Sequence, residues 1–154
     1  MKILVFSDSH GRKEKMTDAV RRYTPDAVFH LGDHAADASV LRDLAPVYAV
    51  RGNCDFGGAP EEQTVEIGGK RFFLTHGHRR GVKGGTDVLR ALAGENAFSA
   101  ILYGHTHVPD YEFCGRTLIL CPGAVCGSRT TGVPNAALLE WQPGKDIYMT
   151  IIEL

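Results

Sequence analysis

The chain reads as an α/β protein, a two-sheet mixed β sandwich flanked by helices. Three observations predict this. Short apolar runs of β type alternate with helical periodicity through the first third, a hairpin around Gly68-Gly69 then breaks the alternation, and the last third is a series of strand-like runs separated by turn residues.

Lys2 to Ser7 is a compact β-type run, and Met16, Ala19, Val20 and Tyr23 then repeat at helical spacing until Pro25 stops the helix. Ala27 to Leu31 is a second strand. Val40, Leu41 and Leu44 mark a short helix ended by Pro46, and Val47 to Arg51 is a third strand. Strands joined through helices imply parallel pairing with right-handed crossovers. Thr64 to Ile67 and Lys70 to Thr75 are the arms of the Gly-Gly hairpin, Thr86 to Leu92 is a further helix, and Ala100 to Tyr103 is a buried strand. Thr117 to Cys121, Ala136 to Trp141 and Ile147 to Glu153 read as antiparallel strands, the last two joined through Pro143-Gly144.

A length of 154 residues fits one domain, residues 1–154, with enough interior to bury a core without disulfides. Seventeen basic residues stand against 18 acidic ones, so charge gives no general attraction to polyanions, and duplex nucleic acid is not a favoured partner. The opening apolar run, Ile3 to Phe6, breaks at Ser7-Asp8, too short for a signal-peptide core or a membrane span; no membrane association and a cytoplasmic location are expected. Cys54, Cys114, Cys121 and Cys126 form no C-x-x-C pair and are expected to be reduced, largely buried thiols without a metal or redox role. No heptad or long apolar stripe fixes the oligomeric state, and a homo-oligomer is left open.

The side chains able to do chemistry sit just past the strand ends. Asp8 and His10 come after the first strand, Asp33 after the second, Asn53 after the third, His76 and His78 after the second hairpin arm, and His105 and His107 after the next strand. In an open α/β sheet the carboxyl ends of strands share one rim, where ligands bind, so these side chains can converge from distant parts of the chain. Adjoining glycines, among them Gly52 and Gly104, permit tight turns and close backbone approach. Asp8, His10, Asp33, Asn53, His76, His105 and His107 make seven candidate ligands, more than one tetrahedral or mixed N/O octahedral ion takes from protein alone. Two ions roughly 3.5–4 Å apart, sharing one carboxylate, use them all and leave room for solvent. Carboxylate, amide and imidazole donors without thiolate point to Mn²⁺, Zn²⁺, Fe or Ni²⁺, with manganese placed first. His30, in mid-strand, reads as a core residue, and His34 as a surface residue or one behind the ligands.

In that order, Asp8-Ser9-His10, Gly32-Asp33, Gly52-Asn53-Cys54-Asp55, His76-Gly77-His78 and Gly104-His105-Thr106-His107 resemble the motifs of the calcineurin-like metallophosphoesterases, and length and spacing resemble the small YfcE-type phosphodiesterases. The likeness covers essentially the whole chain. It implies a first metal held by Asp8, His10, Asp33 and His107 and a second held by Asp33, Asn53, His76 and His105, with Asp33 as the bridge. It also implies a hydroxide between the ions, from a water acidified from about 15.7 toward roughly 7, which hydrolyses a phosphodiester bond in a small substrate.

Two departures from the family pattern stand out. Many larger members carry a histidine that can protonate the leaving group where this chain has Cys54, which leaves His78 and His10 as the candidate proton donors. Cys121-Pro122-Gly123-Ala124 lacks the asparagine and serine often found around the Pro-Gly pair, and reads as a turn beside the site. Arg79, Arg80 and Lys83, in a Gly-rich stretch, and Arg129 read equally as phosphate contacts or as solvated charges. The retromer subunit that resembles this family supplies the alternative reading, a non-catalytic scaffold; the full set of seven ligands argues for the enzyme.

Overall fold

The computed structural model describes residues 1–154. In chain order it contains β1 (Lys2–Phe6), α1 (Lys13–Tyr23), β2 (Ala27–His30), a 3₁₀ helix (Ala35–Leu41), β3 (Val47–Ala49), β4 (Glu62–Ile67) and β5 (Lys70–Thr75). A 3₁₀ turn (His78–Arg80), α2 (Asp87–Glu95), β6 (Ala100–Leu102), β7 (Pro109–Cys114), β8 (Thr117–Pro122), β9 (Asn135–Glu140) and β10 (Tyr148–Glu153) complete the chain. Two five-stranded mixed sheets result, ordered β10-β9-β1-β2-β3 and β4-β5-β6-β8-β7.

Alternation along the strands builds three apolar layers. Ile3, Val5 and Phe29 face inward and meet Phe72, Leu74, Leu102, Leu118 and Leu120 of the second sheet. The intervening Leu4, Phe6 and Val28 face outward and cover Met16, Ala19 and Val20 of α1. Ile101, Tyr103 and Ile119 cover Leu89 and Ala93 of α2 in the same way. Each large side chain taken fully out of water contributes roughly 1.5–3 kcal/mol, so these layers, and not helix propensity, hold α1 and α2 in place. Helix α1 stops where Thr24 turns left-handed (φ 44°) ahead of Pro25.

The expected parallel pairing holds for β1 with β2 and β2 with β3. The last third is less purely antiparallel than the sequence suggests. β8 pairs parallel with β6 and antiparallel with β7, a strand that the sequence pattern does not reveal. β7 begins with a proline and alternates Asp110 and Glu112 with Tyr111 and Phe113; both features belong to an edge strand and disguise it. The helix expected around Val40 to Leu44 is instead the 3₁₀ segment Ala35–Leu41, and Val40 and Leu44 are exposed. The cysteines are free, but only Cys121 is buried; Cys54 is exposed, and Cys114 and Cys126 are partly exposed.

Candidate metal centre

The carboxyl ends of β1, β2, β3, β5 and β6 meet at one rim, and hydrogen bonds within each sheet's end and across from one sheet to the other fix the meeting. The Gly104 amide donates to the His76 carbonyl (3.2 Å). The His105 amide donates to Asp8 Oδ2 (3.1 Å), and the Cys54 amide to Asp33 Oδ1 (2.8 Å). Glycine is required at two of these joints. A Cβ on Gly52 would lie 2.1 Å from Asp33 Oδ1, and one on Gly104 would lie 1.9 Å from Ser7 Oγ.

The structure brings all seven candidate ligands together. Ligand atoms of Asp8, His10 and Asp33 lie within 4.8 Å of one another, as do those of Asp33, His76 and His105, so Asp33 is common to both groups. Asn53 Oδ1 joins the second group at 3.2 Å from His76 Nε2. His107 joins the first, its Nε2 being 2.9 Å from Asp8 Oδ1. Left-handed backbone at non-glycine residues is concentrated here. Asp8, His10, Asp33, His34, His105 and His107 all have φ between 43° and 69°, with Thr24 the one other such residue. Such conformations cost roughly 1–3 kcal/mol each and persist where surrounding structure compels them, commonly at functional sites.

The donor chemistry fits cations. Asp8 Oδ1 is buried and has no hydrogen-bond partner, although His107 Nε2 is close by. His76 Nδ1 donates to the Leu31 carbonyl (2.7 Å), so in the neutral ring Nε2 presents a lone pair to Asp33 Oδ1 (3.4 Å) and Asn53 Oδ1. Oxygen and nitrogen lone pairs facing one another need a proton or a cation between them. A ligating histidine whose other nitrogen donates to a carbonyl is the usual arrangement around bound metals.

Electrostatics run the same way. Burial opposes charge on Asp33, but the His76 ring beside it and the hydrogen bond from the Cys54 amide outweigh it and hold the carboxyl well below the usual range. Burial likewise opposes charge on Asp8, and His107, His76 and Ser7 prevail and lower it. Burial opposes the proton on His76, yet Asp33 and Asp8 raise its pKa. His105 is pushed down to about 4 by burial and by His76 and Lys83. Burial, His76 and Arg79 lower His78.

Several side chains take places that the sequence pattern alone does not assign. Arg79 reaches Glu61 (3.0 Å) and Arg80 makes a two-pronged pair with Glu62 (2.8 and 2.7 Å), so both arginines are occupied by carboxylates. The exposed His34 ring lies 4.7 Å from that of His10. The Cys121–Ala124 segment does turn beside the site, where the amides of Val125 and Cys126 donate to the carbonyls of Ser7 and Asp8. Cys126, expected to have no metal role, belongs to a third group with His10 and His107 and lies 3.6 Å from His107 Nδ1. Burial raises its thiol pKa, which keeps it a neutral partner of the ring. His30 is a buried residue linked to Ser9, a role that no motif announces.

Two mixed sheets that carry carboxylates and imidazoles on one shared rim define a protein of the metallophosphoesterase fold. The chain belongs to the calcineurin-like phosphoesterase superfamily, whose domain model matches residues 1–144. It is 30% identical over 142 residues to a Bacillus subtilis protein named probable metallophosphoesterase YsnB, covering 90% of this chain and 83% of that one. It is 31% identical over 153 residues to phosphodiesterase YfcE of Escherichia coli, covering 81% and 79%. Among solved structures, a predicted phosphoesterase from Streptococcus pneumoniae superposes with a TM-score of 0.80 at 30% identity, over 99% of this chain and 97% of that one. Vps29 from Entamoeba histolytica, complexed with Zn²⁺, superposes with a TM-score of 0.79 over 99% of each chain; at 22% identity this is a likeness of fold.

Proposed function

We propose that the chain is a phosphodiesterase that holds two divalent ions and cleaves small phosphodiesters by attack of a deprotonated water. The observation that carries this reading is Asp33, whose Oδ1 faces His76 and Oδ2 faces His10 (3.4 and 3.9 Å), a carboxylate placed to serve two centres. Asp8, His10, Asp33 and His107 would hold one ion, and Asp33, Asn53, His76 and His105 the other. When bound, the ions acidify a shared water and neutralise phosphate oxygens. Manganese is the proposed ion, with nickel, zinc and iron as the alternatives suited to these donors.

The chain's own groups set the rest. Asp8 and Asp33 keep their charge at neutral pH because their pKa values are depressed. His105 needs to lose no proton to become a ligand. His78 Nδ1 is buried without a partner, and the lowered pKa makes the ring neutral, a hydrogen-bond donor to the leaving oxygen more than an acid. His10 is the other group near enough to assist. Cys54 adds little, because burial and Asp33 raise its pKa. The site therefore favours leaving groups that depart unprotonated, such as nitrophenolate. With no helix long and apolar enough to cross a membrane, and with free thiols suited to a reducing compartment, we place the activity in the cytoplasm.

The test is hydrolysis of bis-p-nitrophenyl phosphate and p-nitrophenyl phosphate by metal-stripped protein after Mn²⁺, Ni²⁺, Zn²⁺ or Mg²⁺ is restored. Diester cleavage that depends on metal, and is abolished in folded Asp33→Ala and His76→Ala, is the expected result. Two bound ions without cleavage under any metal would favour the scaffold reading instead.

A further inference from the structure

Behind the first ligand group lies a chain of polar contacts that the seven motif residues do not include. The Gly32 amide donates to His30 Nδ1 (3.3 Å), which leaves the ring proton of the neutral imidazole on Nε2, 3.1 Å from Ser9 Oγ. The Ser9 hydroxyl then donates to Asp37 Oδ2 (2.8 Å), which also accepts the Gly11 amide at 2.6 Å. Donation runs one way from end to end, and each donor along it has an acceptor. His30 and Ser9 are fully buried and Asp37 is 6% exposed, so water does not replace the His30–Ser9–Asp37 bonds, while the Gly11 end of the chain is exposed. Lys13 lies 3.7 Å from the remaining Asp37 oxygen.

The ends of this chain matter. Gly32 precedes Asp33, while Ser9 and Gly11 flank His10, and Asp33 and His10 have φ of 53° and 43°. Strained backbone of this kind relaxes unless something holds it. We propose that Asp37, Ser9 and His30 form a positioning clamp that holds the Ser9–Gly11 loop against the Gly32-Asp33 turn and so fixes His10 beside Asp33 for the first ion. This inference rests on the two-metal reading above. Asp37 and His30 touch no substrate; they act through His10 and Asp33. The clamp lies on the side of His10, so it acts mainly on the first ion; the second shares only Asp33 with it, and His76, Asn53 and His105 have their own supports.

Calorimetric titration of Mn²⁺ into the metal-stripped chain tests the clamp, with Asp37→Ala, Ser9→Ala and Asp37→Asn beside the wild type. Loss of a group behind a ligand typically weakens metal binding about 10–100-fold, so Asp37→Ala and Ser9→Ala should weaken one ion by that factor and leave the other within about threefold. Asp37→Asn keeps an oxygen to accept both bonds and should restore the first ion to within about threefold of wild type. Amide exchange at Gly11 in the metal-free chain gives a readout independent of any metal, and Asp37→Ala should speed it at least about tenfold. Unchanged affinities in both alanine variants, or equal weakening of both ions together with a lowered melting temperature, would overturn the clamp. A wild type that binds no ion would contradict the two-metal reading, while Gly11 exchange would still decide whether the clamp exists.

Discussion

Protonation of His30 gives the sharpest quantitative test of the layer behind the site. The ring is fully buried, and burial pushes its pKa from 6.5 down to about 4, against the pull of Asp8, Asp55 and Asp37. Its Nδ1 accepts the Gly32 amide, so a second ring proton would face an N–H with no acceptor. Because the folded value lies below the unfolded one, the unfolded chain binds more protons between pH 4 and 6.5, and stability rises with pH through that window. A gap from 6.5 to about 4, at about 1.4 kcal/mol per unit, makes the contribution about 3 kcal/mol. That is a large share of the 5–15 kcal/mol typical of a domain. Other groups titrate too. Asp8, Asp33 and Asp37 have depressed values and lose stability as pH falls through them, and His76, with a raised value, loses its contribution as pH climbs above 6.5. Comparing wild type with His30→Gln removes these shared terms. Urea melts of metal-free protein at pH 4.5 and 7.5 should show wild type losing about 2–3 kcal/mol more than the variant on acidification. Equal losses would mean that His30 is solvated or already charged, and would remove the basis for the direction of donation through Ser9.

Three further outcomes rest on the geometry. Gly104→Ala forces a methyl into Ser7 Oγ and within 3.0 Å of Asp8 Oδ2; it should cost about 1–3 kcal/mol in a denaturant melt and lower metal affinity, whereas a silent substitution would show that Ser7 yields. His76 must give up its proton to take an ion, and its pKa is raised, so Mn²⁺ affinity should increase with pH through neutrality; titrations in buffers of different ionisation enthalpy should detect proton release, and pH-independent binding would contradict this. Arg80→Met removes a partly exposed pair with Glu62 and should change stability by less than about 1 kcal/mol and leave KM for the diester unchanged, while a raised KM would show that Arg80 leaves Glu62 for substrate.

The candidate ligand set is legible in the sequence because each of its residues comes just after a strand end, and topology carries strand ends to one rim. The sheet order that puts β5 and β6 beside β1 and β2 across the sandwich depends on apolar alternation at Ile3, Val5, Phe72 and Leu74, which the sequence displays. What stays hidden depends on contacts between distant residues of ordinary type. Arg80 meets Glu62 18 positions away, and neither residue carries a mark that separates this pair from a free phosphate contact. β7 escapes detection because an edge strand needs no continuous apolar run. His30 looks like a core residue and is one; its link to Ser9 and Asp37 exists only because β2 places it beneath the first loop.

The most direct measurement is the electron paramagnetic resonance spectrum of the protein loaded with two equivalents of Mn²⁺, recorded for wild type and Asp33→Ala. A carboxylate shared by two centres places the ions roughly 3.5–4 Å apart, so wild type should give the spectrum of a magnetically coupled pair, and Asp33→Ala should lose it. The spectrum of isolated ions in wild type, or coupling that survives without Asp33, would contradict the assignment of Asp33 as the bridge.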